Sequence, residues 1–381
     1  MKTSKRIDSL APFMAMDVAR KAREYAEAGK DIVDMSVGEP TATAAKSVVA
    51  KAKNLLDDGI TKYTNAAGVG ALRERVARYY ADKHGLQINP ARIFITTGSS
   101  SGFVYSFLAS FEKDQKVGVL QPGYPAYPNI LKGLGIEPVY IPTLPENNFE
   151  PTAAQIAEHD DLDGLIIASP SNPTGTVINN DEFKKIIDVC ADKNIRFISD
   201  EIYHGITYDV TPDTALKHSD DVIIINSFSK YYCMTGWRLG WLVLPEDLIR
   251  PVEVVAQSFM ISPPTVAQHA AVTAFDCSEE LDQIVDQYRE NRDLLVNGLK
   301  ELNFGKFHTP EGGFFLYVDI SDYADDSMTF CQTLLDEISV AITPGLDFDP
   351  VRGHKYLRIS YASPHEDVQK FLHRLKGWLK V

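Results

Sequence analysis

Short runs of Ile and Val that barely alternate with polar residues recur along the first two-thirds of the chain, at 93–96, 117–120, 165–168, 196–199, 222–226 and 239–244. Unbroken apolar runs of that length predict strands covered on both faces, the pattern of parallel sheets. Between two of them, residues 181–194 carry Phe183, Ile186, Ile187 and Cys190 at helical spacing. Strand, helix, strand in succession predicts an α/β architecture with a mostly parallel sheet between helical layers.

The last third changes character. Ile284, Val285, Tyr288, Leu295 and Leu299 recur at helical spacing from about Leu281 onward, and Val368, Phe371, Leu372, Leu375 and Leu379 share one face of a final helix. Between these helices, 313–319 and 356–361 read as strands. The chain is therefore expected to divide into an N-terminal arm (1–40), a large unit (41–285) and a smaller α+β unit (286–381) that the arm joins. The boundary near 285 is soft, because one long helix can bridge both units.

Length and charge narrow the function. At 381 residues the chain has room for about two domains. Its 44% apolar and 24% charged residues exclude a disordered chain, a collagen and a disulfide scaffold. A net charge of −14 argues against a nucleic-acid partner, which needs a concentrated Lys/Arg surface. No apolar run approaches the roughly 18 residues of a membrane span, so no membrane partner is expected. Residues 1–10 lack the apolar centre of a secretory signal. Cys190, Cys233, Cys277 and Cys331 are far apart with no CxxC, which reads as buried small hydrophobes in a reducing compartment. A cytoplasmic location and no metal site are expected.

Candidate chemistry collects at strand ends. The strand 93–96 runs into Thr97-Gly98-Ser99-Ser100-Ser101-Gly102 and then a helical stretch. The free N–H groups and positive dipole of a helix N-terminus suit a phosphate, although Ser is also simply a good helix cap. Asn172-Pro173-Thr174-Gly175 follows the strand 165–168, and Asp200 ends the next. Either can be only a turn or a cap, but ligands of α/β proteins bind at such strand ends. Ser227-Phe228-Ser229-Lys230 ends a third, followed by Gly236-Trp237-Arg238-Leu239-Gly240. An amine, an anion-binding turn and a separate buried carboxylate suit pyridoxal 5′-phosphate (PLP). Its aldehyde needs an amine, its phosphate needs donors, and its ring nitrogen needs an acid to stay protonated.

Taken in order, these segments resemble the class I/II PLP-dependent aminotransferases of the aspartate aminotransferase superfamily (fold type I). Gly38-Glu39-Pro40, Tyr63 within Lys62-Tyr63-Thr64, Pro122-Gly123-Tyr124-Pro125, Asp200-Glu201-Ile202-Tyr203 and Arg358-Ile359-Ser360 complete the resemblance, which runs almost end to end. It implies a three-layer αβα large domain and a smaller α+β domain. It also implies PLP bound to Lys230 as a Schiff base, with Lys230 shuttling a proton and Asp200 facing the ring nitrogen. Asn172 and Tyr203 would hydrogen-bond the ring O3′, with Tyr124 and Ile202 on its two faces. Ser99, Ser100, Ser227 and Arg238 would hold the phosphate. Tyr63 would reach the neighbouring subunit's site in a homodimer. Arg358, with Gly38 and Asn172, would grip the substrate α-carboxylate. Glu39 is expected in a turn, and His204 at the surface or behind the site.

The implied reaction is ping-pong transfer of an amino group from an L-amino acid to a 2-oxo acid. A β-lyase acting on a cysteine-type substrate is the alternative, since it uses the same lysine. The aminotransferase-like sensing domain of some transcription regulators is a further reading, but the catalytic set is intact here. Residues 65–68, 258–262 and the aromatics near Phe13 are expected to line the side-chain pocket. They are small or apolar, which favours a neutral or aromatic substrate over aspartate.

Overall fold

The computed structural model describes residues 3–380. Its centre is a seven-stranded sheet in the order Ile93–Thr96, Gly240–Val243, Ile223–Ser227, Arg196–Asp200, Gly164–Ala168, Lys116–Gln121 and Glu137–Pro142. All six apolar runs are strands of this sheet. Five of the six inter-strand pairings link strands predicted from those runs, and the sheet core is the fully buried Ile223, Ile224, Ile225, Leu165 and Ile198. Each such side chain removed from water contributes about 1.5–3 kcal/mol. Helices such as Asn180–Asp192 and Gly70–His84 cover one of its faces. The former starts where the Asn179 side chain accepts the Asp181 N–H, with Asp181 and Glu182 in its first turn. The latter stops at Gly85, whose φ of +71° closes the last turn onto the Tyr80 and Ala81 carbonyls.

Only Gly240–Val243 runs antiparallel to its neighbours. That reversal has a consequence for chemistry. The C-terminal ends of the strands at 93–96, 164–168, 196–200 and 223–227 share one edge of the sheet. The reversed strand brings its N-terminal end, and Arg238 just before it, to the same edge. Thr96 pairs with Gly240, and Ser227 pairs with Gly240 on the other side.

The seventh strand, Glu137–Pro142, was not expected. It carries two prolines and pairs only with Lys116–Gln121, so it is an edge strand, the place where a missing N–H is tolerated. Beyond the large sheet, Phe315–Asp319, Tyr356–Ser360 and Thr343–Pro344 form an antiparallel three-stranded sheet. Val33–Asp34 pairs with Val340–Ala341, and Ser360 N–H donates to the Met35 carbonyl at 2.8 Å. The N-terminal segment is thereby stitched to the C-terminal sheet. The helix Ser278–Glu301 connects the two sheets in the chain. No described helix is long and apolar enough to cross a membrane. Three cysteines are buried as expected, whereas Cys277 is only half-buried, at the start of that long helix with Sγ 3.0 Å from Ser47 Oγ.

Candidate active site

At the shared strand edge lies a cavity of about 400 Å³. Ser99, Ser100, Tyr124, Asn172, Asp200, Ile202, Tyr203, Lys230, Arg238, Arg358 and Gly38 all line it, although they come from segments up to 320 residues apart (358 − 38). Two expected site residues do not. Ser227 sits one layer back, its hydroxyl 2.9 Å from Ser229 Oγ and 3.1 Å from the Leu239 carbonyl, and Ser229 is the serine on the wall. Tyr63 is 80% exposed and does not line its own chain's cavity.

One end of the cavity is built for an anion. The helix Gly98–Ser110 presents its first N–H groups there, and no side chain caps them at Thr97. Arg238 lies across this end with φ +53°. A Cβ on Gly98 would fall 2.5 Å from Arg238 Nη2, so only glycine lets the guanidinium lie over the helix start. A Cβ on Gly240 would likewise come within 2.9 Å of Ser99 N.

The centre holds the acid and the amine. Asp200 is 3% exposed. Its Oδ1 accepts the Ile202 N–H at 3.0 Å and its Oδ2 accepts the Tyr127 hydroxyl. Burial pushes its pKa up to about 6, against the pull of those donors. Lys230 Nζ donates to the Gly38 carbonyl at 2.6 Å. Burial first, then the charge of Arg358, brings its pKa down to about 8. Burial also raises the Tyr203 hydroxyl well above its ordinary range, so it remains a donor.

Arg358 forms the third region. Its guanidinium lies between Phe315 and Phe348, 4.3 and 4.7 Å from their ring centres. Nη1 donates to Asn172 Oδ1 at 3.2 Å and Nη2 to the Ser36 carbonyl at 2.7 Å. Nε is buried without a hydrogen-bond partner. A planar cation fixed by two rings and left with an unused donor is suited to a carboxylate. A Cβ on Gly38 would crowd Phe315 at 3.1 Å and approach Arg358 Nη1 at 3.6 Å.

Several wall residues carried no sequence signal. Tyr127 fixes Asp200, and Asp347 accepts the N–H groups of Met14 and Ala15 at 3.0 Å each. That clasp seats Phe13, Ala15 and Met16 against the cavity, with Phe13 edge-on to Tyr124 at 6.3 Å. Tyr127 lies three residues beyond Tyr124, a spacing that hints at a shared face, but nothing near Asp347 marks it. Residues 65–68 and 258–262 do not line the cavity of their own chain. Gly68 packs on Ile95, while Phe259, Met260 and Ile261 are exposed. Glu39 is tied down by the Thr235 hydroxyl. His204 is buried behind the strand end rather than at the surface, with Nδ1 3.5 Å from Glu201 Oε2.

The sequence profile of the aminotransferase class I and II family matches residues 30–375. Over 373 residues the chain is 43% identical to a valine–pyruvate aminotransferase of Mycobacterium tuberculosis, covering 97% of this chain and 96% of that protein. It is 28% identical to an aspartate aminotransferase of Bacillus subtilis, covering 100% and 99%. A crystal structure of an aminotransferase from Mycobacterium tuberculosis superimposes with a TM-score of 0.97 at 42% identity, covering 100% of this chain and 99% of that one. Aspartate aminotransferase from Thermus thermophilus with maleate gives 0.93 at 30%, covering 98% and 99%. The chain belongs to the class I and II aminotransferases. It is a transferase of the PLP-dependent kind with the fold-type I architecture. The cavity fits that cofactor: an anion cradle that a Cβ would fill, a buried carboxylate and an amine of lowered pKa face one space.

Proposed function

We propose that this enzyme moves an amino group from a neutral L-amino acid to a 2-oxo acid by a ping-pong mechanism, with Lys230 carrying both the cofactor and the proton. The observation that carries this reading is the opening of Lys230 Nζ, the Asp200 carboxylate and the Arg358 guanidinium into one cavity. Bound PLP supplies an aldehyde that takes up the amino group and a ring that draws the electron pair from the substrate Cα.

The chain's own residues do the rest. Ser99, Ser100 and Arg238 hold the phosphate, with Ser227 bracing Ser229 behind them. Asp200 keeps the proton on the ring nitrogen, and Tyr127 holds Asp200 in line. Asn172 and Tyr203 hydrogen-bond the ring O3′. Tyr124 and Ile202 confine the ring faces. Arg358 orients the α-carboxylate with help from Asn172 and the Gly38 N–H. Lys230 Nζ takes the proton from Cα and returns it on the cofactor's side. The N-terminal segment clasped by Asp347 excludes water above them.

Three cations line the cavity, and each has a partner in this scheme. Among the described residues no fourth one lines it, while Phe13, Ala15, Met16 and Phe348 are apolar and Asp347 is an acid. This supports a neutral side chain, as does the likeness to a valine–pyruvate aminotransferase. The test mixes the PLP-loaded enzyme with single amino acids and follows loss of the cofactor's imine absorbance. Neutral donors are expected to bleach it and aspartate not to. Preferential bleaching by aspartate would reverse the assignment, and ammonia release without any 2-oxo acid would point to β-elimination.

Lys230 sets a pH dependence. Only its neutral amine attacks an aldehyde, so cofactor uptake by the apoprotein should be slow below, and fast above, a midpoint near 8. Arg358 contributes to that lowering, so Arg358→Ala should move the midpoint upward. Stopped-flow absorbance across pH reads both, and a midpoint that Arg358→Ala leaves in place contradicts the account.

The exposed Tyr63 and the apolar Phe259, Met260 and Ile261 support a homodimer in which Tyr63 enters the neighbouring site. The separation of the two sheets supports a large lobe over 41–285 and a small lobe of 286–381 with the arm 1–40. Substrate binding should then draw the lobes together, read as a smaller radius of gyration in solution scattering; an unchanged radius would argue for one rigid unit.

A further inference from the structure

Behind the cofactor bed lies a second cavity, of about 310 Å³. Rings of Tyr79, Tyr231, Tyr232, Trp241 and Phe275 form its walls. Two polar side chains more than nine-tenths buried open into it, Asn226 at 3% exposure and His204 at 8%. Asn226 Oδ1 accepts the Ser227 N–H at 2.7 Å, which fixes the amide and leaves Nδ2 as a donor. Among the described residues no hydrogen bond uses Nδ2, and that atom is not sealed off, so it is free to donate into the cavity. His204 Nδ1 lies 3.5 Å from Glu201 Oε2, an oxygen that is itself sealed from solvent and unpartnered.

Two acids and two bases line the mouth, so it offers no net charge preference. Asp82, Lys83 and Asp282 stand there together, with Tyr231 donating its hydroxyl to Asp282 at 2.6 Å. Arg75 is already taken, 3.0 Å from Asp276 and 4.8 Å over the Phe275 ring. Aromatic walls favour a flat ring, and the Asn226 donor selects an acceptor. The volume, near the lower end for ligand clefts, suits a single-ring molecule.

We propose that this cavity binds a small flat aromatic compound bearing an uncharged hydrogen-bond acceptor, an aromatic amide or phenol, and that the bound ligand acts on the cofactor bed from behind. The coupling is short. Tyr231 and Tyr232 directly follow Lys230, and Asn226 directly precedes Ser227. The turn that carries Asp200 and Tyr203 on one side carries Glu201 and His204 on the other. It is closed by Glu201 N–H on the Ile225 carbonyl at 2.8 Å and His204 N–H on the Glu201 carbonyl at 2.9 Å. A ring pressing on Tyr231 and His204 therefore acts on the immediate neighbours of Lys230 and Tyr203, and through the closed turn on Asp200. The binding half of this proposal does not depend on the proposed substrate class.

Benzamide is the probe, because it has a carbonyl acceptor, no amine reactive toward an aldehyde and no carboxylate for Arg358. Trp241 in the wall supplies a fluorescence signal. Titration of the PLP-loaded enzyme should saturate with half-saturation in the range of about 1–10 mM, ordinary for a nine-atom ligand. Blocking the cofactor aldehyde with an oxyamine should leave this binding intact. Asn226→Asp keeps the acceptor for Ser227 N–H but replaces the donor, and should weaken binding about tenfold or more. Ala274→Leu, which fills the cavity from its wall, should abolish binding independently. Bound benzamide should also shift the pH midpoint of the cofactor absorbance. A signal linear to about 50 mM, loss of binding on oxyamine treatment, or equal affinity in Asn226→Asp and Ala274→Leu would overturn the site. Saturable binding with an unmoved midpoint would overturn the coupling.

Discussion

Lys230→Ala is expected to lower turnover about 10⁴-fold or more, because in the proposed mechanism it removes both the amine that holds the cofactor and the group that moves the Cα proton. The fold should survive. Among the described residues the Lys230 side chain makes one hydrogen bond, to the Gly38 carbonyl, and its loss costs about 1–3 kcal/mol of stability. Circular dichroism should therefore match the parent while steady-state activity disappears. A variant within about tenfold of the parent rate would remove Lys230 from the mechanism. The same variant tests the composite site. Lys230→Ala subunits mixed with Tyr63→Ala subunits form hybrids with one complete site of two, which at random pairing restores about a quarter of the parental activity. No recovery after verified subunit exchange would place Tyr63 outside the neighbouring site.

Asp200→Asn should cost about 3–5 kcal/mol of transition-state stabilisation, roughly 10²–10⁴-fold in rate. Asparagine keeps an oxygen for the Ile202 N–H but lacks the charge that holds a proton on the ring nitrogen. Burial holds the carboxyl pKa up at about 6 in the free site, so its neutral form takes over as pH falls below that value. A bound ring cation reverses that preference. Cofactor retention should change little, because the phosphate cradle is untouched, and absorbance after gel filtration checks this. Tyr127→Phe should reproduce a weaker version of the defect, since it removes a donor to Asp200 and not the charge. Near-parental turnover in Asp200→Asn would mean that another group keeps the ring protonated.

Much of this arrangement is legible in the sequence. The six apolar runs are strands because β-branched side chains covered on both faces leave little room for another local choice. Gly98 and Ser99 after one run, Asp200 at the end of another and Lys230 just past a third announce the chemistry through residue type and position. The proline-bearing strand at Glu137–Pro142 escaped notice because its pattern is that of a loop, and only pairing with Lys116–Gln121 makes it a strand. Ser227 and Ser229 are indistinguishable in a Ser-x-Ser-Lys motif, since which hydroxyl reaches the wall depends on how the strand end turns.

Local pattern thus suffices for the class of fold and for the candidate amine, acid and anion-binding turn, because each follows from side-chain chemistry and nearest-neighbour sterics. Tertiary packing alone places Tyr127 on Asp200, Asp347 under the Met14 and Ala15 N–H groups, and Arg358 between Phe315 and Phe348. It also lowers the Lys230 amine and raises the Asp200 carboxyl, since desolvation is a property of everything that surrounds a group. Contacts between residues hundreds of positions apart leave no periodicity in the chain; they exist only once the sheet edge has gathered them.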